Sequence, residues 1–254
     1  MIATLPMYDR PEMRAATNAF WAEIRAALGR GPQDLDREID KWEAWTAPDL
    51  LLAQSCGLPF RTRLYGKVQL VATPDYGLPG CPAGYYNSVI IARKDHAGED
   101  LQSFSGQRLA YNEALSQSGW AAPMMHMRPH NMLPGELVET GGHRESAAAV
   151  AEDRADFAAI DALTWQFLCD YEEFTVGLVE IERTEPTPAL PYITAKSEDG
   201  AAIFAALETA LAALSAEHRK TLQLKSVLRL EPSDYLAFPT PPGPTLIKDR
   251  LERG

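Results

Sequence analysis

Apolar residues fall along this chain in short runs separated by stretches of helical spacing, a rhythm that predicts an alternating α/β sheet. Residues 2–7 suit a first strand, with Pro6 and Met7 leading into a loop. Pro11 suits the first turn of a helix, where its missing N–H costs nothing. Behind it Met13, Ala16, Phe20, Trp21, Ile24 and Leu28 recur at helical spacing until Gly29 and Gly31 stop the run. Residues 48–54 and 68–74 predict two further core strands, with Ser55-Cys56-Gly57-Leu58-Pro59-Phe60 as loop and helix start between them. The centre repeats the style, with strands near 87–93, 107–111, 136–140 and 156–160 and helices over 119–127, 143–153 and 162–172. Residues 176–182 predict a returning strand, the prolines of 185–191 an extended crossing, and 192–195 a re-entry into the first sheet. Residues 200–215 read as an Ala-rich apolar helix. The Pro-interrupted tail from Ser226 either closes the first sheet's lobe or frays.

The stretch 100–120 is the most informative. It reads as a helical turn, a Gly, a buried strand, and a hydroxyl-rich loop opening a helix. Ser116 and Ser118 stand where a helix leaves its first backbone N–H groups without partners. Such a terminus carries partial positive charge and can hold an oxyanion. Ser is also a favoured N-cap, and on this segment alone the residue type favours capping.

The neighbouring segments shift that balance. An apolar strand ending in charge, Asn87-Ser88-Val89-Ile90-Ile91-Ala92-Arg93-Lys94-Asp95, precedes the loop. Downstream come Gly141-Gly142-His143-Arg144-Glu145-Ser146-Ala147-Ala148-Ala149-Val150 and then Ala155-Asp156-Phe157-Ala158-Ala159-Ile160-Asp161. In this order the motifs resemble the phosphate/phosphonate-binding proteins of ABC importers, a branch of the type II periplasmic binding proteins, over roughly residues 1–200. The resemblance implies a two-lobed α/β fold with an interlobe cleft. Residues 1–85 plus 188–254 would form one lobe and residues 86–187 the other. In open α/β sheets ligands sit outside the carboxyl ends of strands, and every loop singled out follows a predicted strand.

The resemblance also implies a site. Ser116, Gln117, Ser118 and Gly119 would cradle an anion, Gly119 because the lack of a Cβ admits close approach. Gln117 stands where the family's loop often carries a hydroxyl, which favours a larger or less charged ligand than phosphonate. His143 aligns with a His placed beside the phosphonate, and Asp161 with a polar residue in reach of an ammonium or hydroxyl. Tyr86 resembles a hinge Tyr, Tyr8 follows the first strand, and Ser55 opens the loop after the second. Each has a plain alternative: caps for Ser116, Ser118, His143 and Asp161, packing for the tyrosines. Trp165 reads as core, and Arg61 and Arg63 as a solvated face. His126 and His130 have metal-binding spacing on a helix, but Pro129 breaks the helix, and no metal is expected.

A net charge of −11 over 254 residues argues against nucleic acid as a partner, because phosphate backbones are held by gathered Lys and Arg. It leaves room for a small anionic ligand read at short range by amides and hydroxyls. No apolar run of about 18 residues predicts a transmembrane segment. Residues 1–10 lack the basic-then-apolar pattern of a secretory signal, so the chain as it stands reads as cytoplasmic, and as periplasmic if a signal was trimmed. Cys56, Cys81 and Cys169 are odd in number and without CxxC, and read as buried free thiols. No P-loop, dinucleotide fingerprint, nucleophile elbow or zinc motif calls for a cofactor. The function expected is a solute-binding protein that closes on a phosphonate, phosphate ester or phosphite, for uptake through an ABC permease or for sensing. The alternative is a cytoplasmic enzyme on the same two-lobed fold, acting on a small cleft-bound metabolite with His143, Asp161 and Cys56 as acid, base or nucleophile.

Overall fold

Residues 1–253 of a computed structural model are described here. Their strands are β1 (Ile2–Thr4), β2 (Leu50–Gln54), β3 (Val68–Asp75), β4 (Tyr85–Tyr86), β5 (Ser88–Arg93), β6 (Arg108–Tyr111), β7 (Glu136–Glu139), β8 (Phe157–Asp161), β9 (Leu178–Arg183), β10 (Thr187–Pro188), β11 (Tyr192–Ala195) and β12 (Ser226–Leu228). The chain divides into two compact units. Met1–Tyr85 with Pro188–Ala237 forms one, and Tyr86–Thr187 with the chain from Phe238 forms the other. The mixed α/β sheets are those of two-lobed periplasmic binding proteins. The chain crosses between units at β4 and β10, which pair as a two-stranded sheet, and a third time between Ala237 and Phe238.

The first unit's sheet has the order β1-β2-β11-β3-β12. β1 and β2 run parallel, while β11 is antiparallel to β2 and β3, and β12 to β3. Every residue of β2 is buried, as a continuous apolar run covered on both faces should be. Helix Arg14–Leu28 packs on helix Gly200–Ala213. Gly29, at φ 67°, ends the former and returns its N–H to the Arg25 and Ala26 carbonyls. Asp199 starts the latter by accepting the Ala201 and Ala202 amides. Trp45, Phe60, Ile193 and Tyr235 fill the core beside the sheet.

The second unit's sheet has the order β7-β6-β8-β5-β9. β6 is parallel to both β7 and β8, and β5 is antiparallel to β8 and β9. Phe104, Leu109, Tyr111, Trp120, Met127 and Phe157 form its core. Because β6, β7 and β8 run the same way, their carboxyl ends share one end of the sheet. At the opposite end Arg108 fastens β6 to the approach to β8. Its guanidinium donates to Asp156 Oδ1 at 2.8 Å and Oδ2 at 3.0 Å, and to the Asp153 carbonyl at 2.9 Å. The Arg108 bonds hold the Asp156 carboxyl below its ordinary range. Asp156→Asn is expected to lower stability by about 1–2 kcal/mol, a charge-assisted pair discounted for solvent screening. The wild-type contribution is present above the ordinary carboxyl pKa and lost as pH falls through the depressed one. Denaturant unfolding of both proteins at pH 7 and at acid pH measures this.

Two expectations need correction. Residues 226–228 do join the first sheet, but the chain from Phe238 belongs to the second unit. Trp120 Nε1 donates to the Pro242 carbonyl at 3.1 Å, and Ile247, 1% exposed, lies in the core with Trp120 and Met127. No disulfide forms among the described residues, and of the three thiols only Cys56 is buried; Cys81 is half-buried and Cys169 faces outward from helix Ala162–Tyr171.

Candidate functional site

Three helical starts follow the carboxyl ends of the parallel strands in the second unit. After β6 the chain reaches Ser116, whose Oγ accepts the Gly119 amide at 2.9 Å. A wide turn, Gln117–Ala121, follows and continues into helix Ala122–Met127. After β7 come Thr140, Gly141 at φ 87° and Gly142, then helix His143–Ala151. β8 ends on Asp161, whose carboxylate accepts the Thr164 amide at 2.9 Å and caps helix Ala162–Tyr171.

The first two starts are tied together. The Thr140 amide donates to the Tyr111 carbonyl at 2.9 Å and the Gly141 amide to the Asn112 carbonyl at 2.8 Å, prolonging the β6–β7 pairing beyond both strands. Thr140 Oγ1 also lies 2.6 Å from Ser146 Oγ. These ties carry His143 to the Ser116–Gly119 loop, where its Nε2 is 2.8 Å from Ser118 Oγ. Ser88 Oγ, at the start of β5, holds the same loop from below by donating to the Ser118 carbonyl at 2.9 Å.

Burial pulls the pKa of half-buried His143 down to about 4, against a smaller upward pull from the Ala159 backbone. The ring is therefore uncharged at neutral pH. Its Nδ1 is buried without a well-formed hydrogen bond. The Ala159 carbonyl beside the ring favours a proton on Nδ1, which leaves Nε2 to accept the Ser118 O–H. Gly119 makes room for its neighbours: a Cβ there would collide with the Asn112 side-chain amide and stand 3.3 Å from His143 Cε1. Asn112 Oδ1 is buried and unsatisfied among the described residues. The loop residues 116–119 and His143 include no Lys or Arg, so any oxyanion there is held by hydroxyls, amides and helix starts.

The structure thus gathers Ser116, Ser118, Gly119 and His143. Ser116, Gln117 and Ser118 are 2, 3 and 4% exposed, more enclosed than an open loop would be. Ser116 is a cap, which leaves its O–H proton as its remaining donor. Asp161 is a cap as well, paired in the ladder with Ser88. Tyr86 is 1% exposed within β4. In the first unit, Tyr8 ends the short helical turn Pro6–Tyr8 and meets the Tyr76 ring edge-on at 5.5 Å. Ser55 is fully buried after β2; its amide donates to the Pro191 carbonyl at 2.9 Å, and its Oγ has no partner among the described residues. Trp165 is buried, with its indole N–H on Glu180 Oε1 at 2.8 Å.

Sequence reasoning passed over Asn112 and Ser88, and in the first unit Gln54 and Tyr76, where Gln54 Nε2 donates to Tyr76 Oη at 3.1 Å. The available signal was a polar side chain at a strand's end. Among the described residues no cluster of three or more His, Cys, Asp or Glu could hold a metal ion. No single described helix is long and apolar enough to cross a membrane.

Residues 49–235 match the family model described as ABC transporter, phosphonate, periplasmic substrate-binding protein. No curated protein matches the sequence. Among solved structures, PhnD1 of Prochlorococcus marinus (MIT 9301) in complex with methylphosphonate is similar at 15% identity, with a TM-score of 0.74 over 100% of this chain and 98% of that one. A binding-protein component of a phosphonate ABC transporter from Pseudomonas aeruginosa matches at 16% identity and a TM-score of 0.69, over 99% of this chain and 93% of that one. A Xanthomonas citri protein bound to ATP matches at 15% identity and a TM-score of 0.64, over 99% and 97%. At such identities these likenesses establish the fold alone.

Proposed function

This chain belongs to the phosphonate family of periplasmic ABC-transporter substrate-binding proteins, and from that premise we propose which solute head it binds and which residues hold it. Its role is solute binding, and the family carries a small ligand and a permease as partner. The ligand head is a small oxyanion of phosphonate, phosphate-ester or phosphite type, seated at residues 116–119 and His143. The observation that carries this is the 2.8 Å contact of Ser118 Oγ with His143 Nε2 where two helical starts meet. Helix starts favour negative charge; the remaining Ser116 proton supplies a directional donor, and the Ser118 O–H becomes a second when a proton on His143 Nε2 releases it. With no Lys or Arg in the seat and Gln117 in place of a hydroxyl, a head of low charge suits it better than a dianion. Asp161 and Tyr86, in the same unit, are proposed as further ligand contacts. The periplasmic character of the family supports work in the periplasm, with uptake through the permease the favoured use.

A calorimetric titration with methylphosphonate, phosphite, phosphate and glycerol phosphate tests this reading. At least one is expected to bind with one site per chain, and Ser118→Ala is expected to weaken it about tenfold or more, the loss of a charge-assisted hydrogen bond. If none gives saturable heat or raises the melting temperature, the oxyanion reading is wrong.

A further inference from the structure

The second unit holds a cavity that the proposed oxyanion seat does not use. Its volume is about 470 Å³, within the range of small-molecule sites. It opens where the segment from Thr240 lies against the helical run that ends at His130. Met124, Met125, Met132 and Ile247 supply apolar lining, with prolines from the C-terminal segment beside them. Thioethers are soft and adjust to irregular apolar shapes. Arg128 and Arg250 complete the chemistry. Among the described residues no carboxylate lines the cavity. Neither Arg forms an ion pair among the described residues, although the chain has 35 Asp and Glu against 24 Lys and Arg. In so acidic a protein, two cations left unpaired beside an apolar cavity mark a place for an outside anion.

We infer that this cavity binds a small amphiphilic anion, its aliphatic tail among the methionines and Ile247 and its oxyanion head on Arg128 and Arg250. Guanidinium groups suit planar or tetrahedral oxyanions because they donate in a fixed fork. Both arginines are exposed, so their heads can swing onto a ligand without breaking an existing ion pair. The C-terminal helix Pro244–Leu251 brings Arg250 to its last turn, where its carbonyl ends also favour cationic side chains.

Calorimetric titration of the full chain with decanoate tests the inference. One saturable site per chain is expected, with decyltrimethylammonium binding at least tenfold more weakly because its head has the wrong sign. Arg128→Ala/Arg250→Ala is expected to weaken decanoate about tenfold or more, as removal of charge-assisted bonds does, and to leave methylphosphonate titration unchanged. Met125→Trp, which fills the half-buried rim, should block decanoate without affecting methylphosphonate. Equal binding of the cationic amphiphile, no effect of the double substitution, or no saturable decanoate heat would each overturn the inference. Sedimentation with phosphatidylglycerol vesicles in the absence of decanoate binding would overturn it too, in favour of a membrane surface. Because the methylphosphonate titration runs beside it, failure at this cavity is distinct from failure at the oxyanion seat.

Discussion

Gly119→Ala is expected to weaken methylphosphonate binding by about tenfold or more, with a smaller loss of stability. A Cβ at this position would strike the Asn112 side chain and press on His143 Cε1 at 3.3 Å, so both neighbours must move for it to fit. Overpacking of this kind costs about 1–3 kcal/mol, and each 1.4 kcal/mol of it that falls on the bound state is tenfold in affinity. The loop has little freedom to absorb the shift. Its carbonyl at Ser118 is fixed by Ser88, its amide at Gly119 by Ser116, and its hydroxyl at Ser118 by His143. Asn112 is the softer neighbour, since a side-chain amide can rotate away where a ring on a helix start cannot. Gly119→Ala combined with Asn112→Ala should therefore recover part of the lost affinity, and a double-mutant cycle isolates that coupling. Calorimetry reports the affinity and a denaturant midpoint the stability. A Gly119→Ala protein that binds methylphosphonate as well as the unsubstituted chain does would remove this loop from the ligand seat.

Much of this arrangement was legible in the sequence, and the remainder fails for identifiable reasons. Leu50-Leu51-Leu52 and Val89-Ile90-Ile91 announce covered strands because residues buried on both faces leave no polar alternation. Ser116 was open between cap and anion ligand; its Oγ accepts the Gly119 amide three residues on and so caps the turn, which leaves the O–H proton for the proposed ligand. His143 came from the family resemblance alone. Its meeting with Ser118, 25 residues away, depends on the parallel pairing of β6 with β7 and the two loop amides beyond it, none of which is a local property. The C-terminal segment was misassigned for a similar reason. Helix Pro244–Leu251 buries little beyond Pro244 and Ile247, and the Trp120–Pro242 bond that anchors it spans 122 residues. Cys169 reads as apolar by type, yet it faces outward on its helix, a rotation that a short amphipathic segment does not fix. Asn112 carries in the sequence only the mark of a polar side chain just past a strand; the missing Cβ of Gly119 against it reveals the packed corner.

Stability and affinity should both depend on pH through His143, in opposite senses. Burial lowers the ring's pKa to about 4 in the folded chain, against about 6.5 for an unperturbed His. Below about 6.5 the unfolded chain therefore takes up a proton that the folded chain refuses, and stability falls as pH drops from there to about 4, by up to about 3 kcal/mol. His143→Gln should flatten that part of the profile, which parallel denaturant series of the two proteins would resolve. An oxyanion at Ser118 reverses the preference. A neutral ring takes the Ser118 proton for itself, whereas a protonated ring donates from Nε2 and frees the Ser118 O–H for the ligand. The bound ligand thus raises the His143 pKa, and binding draws in a proton between about pH 4 and the raised value. Affinity should strengthen as pH falls through that window. Calorimetry in buffers of different ionisation enthalpy, corrected for the ligand's own titration, counts the proton directly. Uptake of a fraction of a proton in the native chain, abolished in His143→Gln, is the expected result. Zero uptake at every pH would mean that the imidazole never answers the ligand's charge, and the Ser118–His143 pair would then be scaffolding.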